Sequence, residues 1–129
     1  MHLICDGAGT PMAVAVSPGQ EHETQKLIPL MEEVLAWPEQ PAKLAGDKAY
    51  SAGWIREWLK EHKVTPVIAH QKKEKAREGR FDRKSYRRRN IIERCVSSLK
   101  WFRRVATRYE KLATHYLGMV TLAIIFRLL

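Results

Sequence analysis

Residues 43–69, KLAGDKAY–SAGWIREWLKEHK–VTPVIA, constrain the fold more than any other stretch of this chain. They read as strand, helix, strand. Two strands joined through a helix run parallel, and that crossover is right-handed by rule. An α/β arrangement with helices packed on a sheet follows. Ser51 is placed to cap the helix, and Trp54, Ile55, Trp58 and Leu59 share a face that should be buried. Asp47 falls at the carboxyl end of the first strand, where α/β folds bind ligands. An Asp that follows Gly at a strand end is also a common turn-capping residue, so two readings of Asp47 stand.

The flanking segments fit the same class. HLICD, GAGTP and MAVAVSP read as strand, turn and strand. ETQKLIPLMEEVLAW follows as a helix, with Leu27, Leu30, Met31, Val34 and Leu35 on one face and Thr24 as a candidate N-cap. Pro29 should kink this helix or mark its first turn. Residues 71–90 carry ten basic and three acidic side chains and are expected as an exposed basic loop. Two helices, about 85–109 and 112–128, complete the order β-β-α-β-α-β-α-α.

Charge divides the chain. Residues 1–70 hold six Lys or Arg against nine Asp or Glu, and residues 71–129 hold seventeen against five. The second half, at +12, suits a polyanion such as nucleic acid, although a solvated basic face would carry the same charge. Cys5 and Cys95 both sit in apolar patterns and read as free buried thiols of a reducing cytosol. No Cys/His spacing suits zinc, and the N-terminus has neither part of a signal peptide. The last apolar stretch contains His115 and Arg127 and is short for a membrane span, so a buried helix is expected.

One carboxylate, Glu93, stands in the basic stretch SYRRRNIIERCVSSLKWFRR. Advancing roughly 100° per residue, Ile91, Ile92, Cys95, Leu99, Phe102 and Ala106 form a core stripe. Tyr86, Arg89, Glu93 and Lys100 fall within roughly 60° of one another on the opposite side, with Arg104 and Arg108 close by. Glu93 is either a salt-bridge partner of Arg89 or a functional carboxylate on that surface. Two carboxylates, Asp47 and Glu93, could help hold Mg²⁺, which prefers oxygen ligands. Metal-dependent phosphoryl transfer uses such a pair.

The spacing Y-x2-R-x3-E-x6-K, at Tyr86, Arg89, Glu93 and Lys100, resembles the signature of the insertion-sequence DDE transposases. LAGDKAY resembles the segment carrying that family's second catalytic aspartate, and HLICDGAGTPMAVAVSPGQEHE resembles the hairpin before it. The resemblance spans essentially the whole chain as a single partial catalytic domain over residues 1–129. It implies an RNase H-like mixed sheet with flanking helices, lacking the first, central strand. It assigns Asp47 and Glu93 as catalytic and metal-binding acids, with Mg²⁺ or Mn²⁺ as cofactor. It places Tyr86, Arg89 and Lys100 on DNA, and the basic Arg104 and Arg108 join them. The partners implied are transposon ends and target duplex, with a missing N-terminal transposase part or a second copy as further partners and no membrane. The location implied is the bacterial cytoplasm, associated with the nucleoid.

The family's first aspartate precedes the hairpin and has no counterpart here. Asp6 lies at a hairpin turn, where an Asx-turn is the plain reading. The expectation is therefore a DNA cleavage and strand-transfer domain, truncated or split and inactive alone. The alternative is a non-catalytic DNA-binding regulator or complementing fragment. A basic RNA-associated protein would explain the charge but neither the paired acids nor the signature.

Overall fold

The computed structural model describes residues 1–71, 81–108 and 110–129. Its elements are β1 (His2–Cys5), β2 (Pro11–Ala15), α1 (Thr24–Leu35), β3 (Lys43–Gly46), α2 (Gly53–Glu61), β4 (Thr65–Ile68), α3 (Arg83–Arg87), α4 (Asn90–Leu99), α5 (Arg103–Thr107) and α6 (Ala113–Leu128). The mixed α/β class is as expected. The described strands pair as two two-stranded sheets, β1 with β2 antiparallel and β3 with β4 parallel. The chain forms two compact units, Met1–Glu21 with Asn90–Leu129, and His22–Arg89.

In the first unit, the hairpin turn is built by Asp6. Its Oδ1 accepts hydrogen bonds from the backbone N–H of Ala8 at 2.9 Å and of Thr10 at 2.8 Å. Gly9 takes φ +87°, and a Cβ there would meet Ile91 Cγ2 at 3.2 Å, so glycine answers both conformation and space. Arg127 Nη1 donates to the Gly9 carbonyl at 2.9 Å and ties the end of α6 to this turn. A core forms from Leu99, Val105, Tyr116, Val120 and Ala123, with Leu3 and Val14 of the hairpin packed against it. Tyr116 Oη satisfies itself within that core by donating to the Val105 carbonyl at 3.0 Å.

In the second unit, the expected parallel crossover is present: Lys43 to Gly46 register with Thr65 to Ile68 across the β3–β4 pair. Leu27, Leu30, Met31 and Val34 of α1 are buried as their spacing requires, while Leu35 is half-buried. Pro29 is accommodated inside α1, which runs unbroken from Thr24 to Leu35.

Several local expectations are corrected. Thr24 does not cap α1; it is the first helical residue, and its hydroxyl meets His22 Nδ1 at 2.8 Å. Ser51 does not cap α2, which starts at Gly53. Its hydroxyl instead accepts from the buried Arg56 guanidinium at 2.8 Å, and the same Nη2 donates to the Ile68 carbonyl at 2.9 Å. A buried guanidinium needs acceptors more than a helix end near solvent does. Of the predicted α2 stripe, Ile55 and Leu59 are buried, Trp58 is half-buried and stacks on His62, and Trp54 is exposed.

The expected helix over 85–109 is three helices. A turn at Arg88–Arg89 separates α3 from α4, and a second turn after Leu99 separates α4 from α5. The segments pack on different partners: α3 on β3 and β4, α4 on β1 and α6, and α5 on α6. At the second turn, Phe102 N–H bonds the Leu99 carbonyl, and Phe102 adopts an extended conformation before α5 begins. The helical phase is reset there. Val105 is buried, whereas Phe102 and Ala106, expected in the core stripe, are exposed. The expected basic loop over 71–90 also changes, since α3 occupies 83–87; residues 72–80 lie outside the described residues. No helix among the described residues is long and apolar enough to cross a membrane.

Candidate functional site

Asp47 directly follows β3 and is exposed. It caps a single 3-10 turn, Lys48–Tyr50, by accepting from the Lys48 backbone N–H. The turn-capping reading of this residue is thus realised, and it leaves the carboxylate at the carboxyl end of a strand of a parallel pair. Tyr50 lies close by. Burial, followed by the negative charges of Glu23 and Asp47, pushes its phenol above the ordinary range.

Tyr86 lies on α3 and Arg89 in the turn after it. The Arg89 guanidinium sits over the Tyr86 ring, 4.8 Å from the ring centre, a cation–π contact that orders both side chains. Phe81 flanks the same ring at 5.2 Å. Asp82 fixes where this helix begins. Its Oδ1 accepts from the Ser85 N–H at 3.0 Å, and its Oδ2 accepts from the Ser85 hydroxyl and from Lys43 Nζ, each at 2.7 Å. The Lys43 bond first, and then those from Ser85, hold the Asp82 carboxyl far below the usual carboxylate range. Lys43 opens β3, the strand that Asp47 directly follows. One side-chain bridge therefore links the helix of Tyr86 to the strand of Asp47. Sequence reasoning passed over this bridge. Its local half was legible, since an Asp just ahead of a helix is a favoured N-cap, but Lys43 is 39 residues away.

Glu93 lies in the first turn of α4 and is exposed. A carboxylate there suits the positive end of the helix dipole, a structural reason for the acid that holds whatever else it does. Lys100 is exposed at the turn that ends α4. Arg104, on α5, pairs with Glu110 at 3.3 Å, and the Arg108 guanidinium lies 5.1 Å from the Tyr116 ring centre. Both arginines thus have partners within their own unit. Arg108 also takes φ +45°, a left-handed residue closing α5.

The seven predicted site residues therefore fall into two sets. Asp47, Tyr86 and Arg89 belong to the unit His22–Arg89, and Glu93, Lys100, Arg104 and Arg108 to the other. The continuous helix expected to carry Tyr86, Arg89, Glu93 and Lys100 is interrupted by the turn at Arg88–Arg89. Asp6 is the turn residue its position implied. Burial pushes its carboxyl up, but the hydrogen bonds from Thr10 and Ala8 outweigh this and hold it low. Among the described residues no three His, Cys, Asp or Glu side chains cluster as a metal site. The donor chemistry of Asp47 and Glu93, exposed carboxylate oxygens, does suit a hard divalent cation.

The comparisons with known proteins agree with the signature. One relative, from Brucella ovis, is named as a transposase for insertion sequence element IS6501; it is 25% identical over 123 residues, covering 95% of this chain and 92% of that protein. A second, from Burkholderia cepacia, is named as a transposase for insertion sequence element IS402; it is 26% identical over 120 residues, covering 87% of this chain and 54% of that protein. No solved structure matches. The family described as the transposase DDE domain matches residues 1–128, and the chain belongs to it, among the DDE transposases of insertion sequences.

Proposed function

We propose that residues 1–129 act as part of an RNase H-like DDE catalytic domain that cleaves DNA at a transposon end and transfers the freed strand. The observation that carries this reading is the Y-x2-R-x3-E-x6-K spacing, at Tyr86, Arg89, Glu93 and Lys100, in a chain of the DDE family. Asp47 supports it by its place at the carboxyl end of β3. Asp47 and Glu93 are the acids that would hold Mg²⁺ or Mn²⁺. When bound, such ions activate the attacking oxygen and stabilise the leaving oxygen of the phosphodiester. The protein's own part is positioning and charge. Tyr86 and Arg89, ordered by their mutual contact, and Lys100, Arg104 and Arg108 engage backbone phosphates. For Arg104 and Arg108, that engagement exchanges an intramolecular partner for a phosphate.

Two acids hold a divalent ion less well than three, and reaction geometry suffers with it. The isolated chain is therefore inactive in cleavage while still binding DNA. The test is nicking of transposon-end DNA with Mg²⁺ or Mn²⁺, alongside duplex binding across a salt series. Binding that weakens steeply with salt, without nicking, is expected, because neutralising phosphates releases counterions. Robust cleavage that disappears in Glu93→Gln would overturn the claim of inactivity. Binding indifferent to salt would remove DNA as the partner.

A further inference from the structure

The turn between α4 and α5 presents a tryptophan that the fold does not use. Trp101 is 89% exposed, whereas the other exposed tryptophans, Trp37 and Trp54, are 48% and 50% exposed. The turn itself is rigidly held. Leu99 on one side and Val105 on the other are both buried in the core with Tyr116 and Val120. The Trp101 N–H reaches the Ser98 carbonyl, and the Phe102 N–H reaches that of Leu99. Phe102 leans toward Phe126, with ring centres 6.4 Å apart. The indole is thus held out by a turn pinned at both ends.

Its surroundings are cationic. Lys100 precedes it and Arg103 follows it, and no Asp or Glu occurs between Glu93 and Glu110, which pairs with Arg104. Lys100 and Arg103 are both exposed. An indole this exposed offers a flat apolar face that a partner can cover. A planar apolar face rimmed by cations fits an unpaired nucleobase, whose ring stacks while its phosphates meet the charges. A protein partner would have to bring its own acids to the same rim.

We infer that Trp101 is a stacking platform for an unpaired base of bound DNA, with Lys100 and Arg103 contacting the adjacent phosphates. This rests on the DNA reading above and deepens it: the chain prefers a strand end or opened duplex to an intact one.

The test uses the full chain, a blunt duplex, and the same duplex bearing an unpaired single-stranded end. Trp101→Ala should lose about 5- to 150-fold in affinity for the unpaired end while changing blunt-duplex affinity by no more than about twofold. Trp101→Phe, which keeps an aromatic face, should retain most of the preference. Because the side chain lies outside the core, the unfolding profile of both variants should match the parent. Equal loss on both substrates, or none on either, would overturn the inference and leave salt-dependent duplex binding standing. Sedimentation of parent and Trp101→Ala closes the remaining route: conversion of a dimer to a monomer, with the affinity loss following it, would make Trp101 a self-association residue and overturn the inference. Failure of the parent to bind either DNA would reject the DNA reading itself.

Discussion

The break between α4 and α5 decides which side chain holds this part of the core, and paired substitutions test it. A continuous helix would centre Ala106 in the buried stripe and set Val105 at its edge, roughly 90° from the centre. The structure instead buries Val105, at 3% exposure, against Leu99, Tyr116 and Val120, and leaves Ala106 in solvent. Val105→Ala removes two buried carbons, about 1.6 kcal/mol of transfer free energy at about 0.8 kcal/mol each. The unfilled volume, at about 24 cal/mol per Å³, adds up to roughly 1 kcal/mol, for a total near 2 kcal/mol. With an unfolding entropy of about 2.1 cal/mol/K per residue, a chain of 129 residues should lose roughly 7 °C in Tm. The Tyr116 hydroxyl bond survives, since it goes to the Val105 backbone. Ala106→Gln should change stability by no more than about 0.5 kcal/mol. Urea unfolding followed by far-UV circular dichroism reads both. If Ala106→Gln proved more damaging than Val105→Ala, the helix would be continuous and the phase reset wrong.

Two further outcomes follow from the hairpin. Burial, then the neighbouring Cys95 and Asp6, push the Cys5 thiol from 9.0 to about 11, so its thiolate fraction near neutrality falls about 100-fold. Cys5 is half-buried, unlike the buried Cys95, and alkylation of the folded chain by iodoacetamide, followed by mass spectrometry, should be slower there by about that factor than in urea; equal rates would refute the half-buried setting. The Asp6 carboxyl is held below its unfolded value, so its contribution is fully present above the unfolded pKa and is lost as pH falls through the lower folded one. Asp6→Asn should therefore flatten the acid limb of the stability profile below about pH 4, and an unchanged limb would show the turn bonds to be idle.

Periodicity and turn chemistry determined much of this protein before any tertiary structure. The crossover from β3 to β4 followed from a strand–helix–strand pattern, because a parallel pair needs a connection of that length and a helix commonly supplies it. The buried face of α1 followed from spacing, and the Asp6 turn from the hydrogen-bonding habit of a short carboxylate next to glycines. The family was legible as well, since a fixed spacing is a property of the chain itself.

Tertiary structure decided the rest, wherever a segment had to choose among partners distant in sequence. Residues 83–107 have helical spacing throughout, yet α3 packs on β3 and β4, α4 on β1 and α6, and α5 on α6, and the chain turns twice to satisfy all three. Those turns divided the helix expected to carry Tyr86, Arg89, Glu93 and Lys100 and exchanged Ala106 for Val105 in the core. Ser51 was claimed by a buried guanidinium, and Asp82 by Lys43 as well as by its own helix. Trp101 was left outside, in the turn between the buried Leu99 and Val105. Local pattern fixes what a segment can form, because propensity and periodicity act within a few residues. Where it stops, and which side chains it exposes, depends on contacts that exist only once the chain has closed on itself.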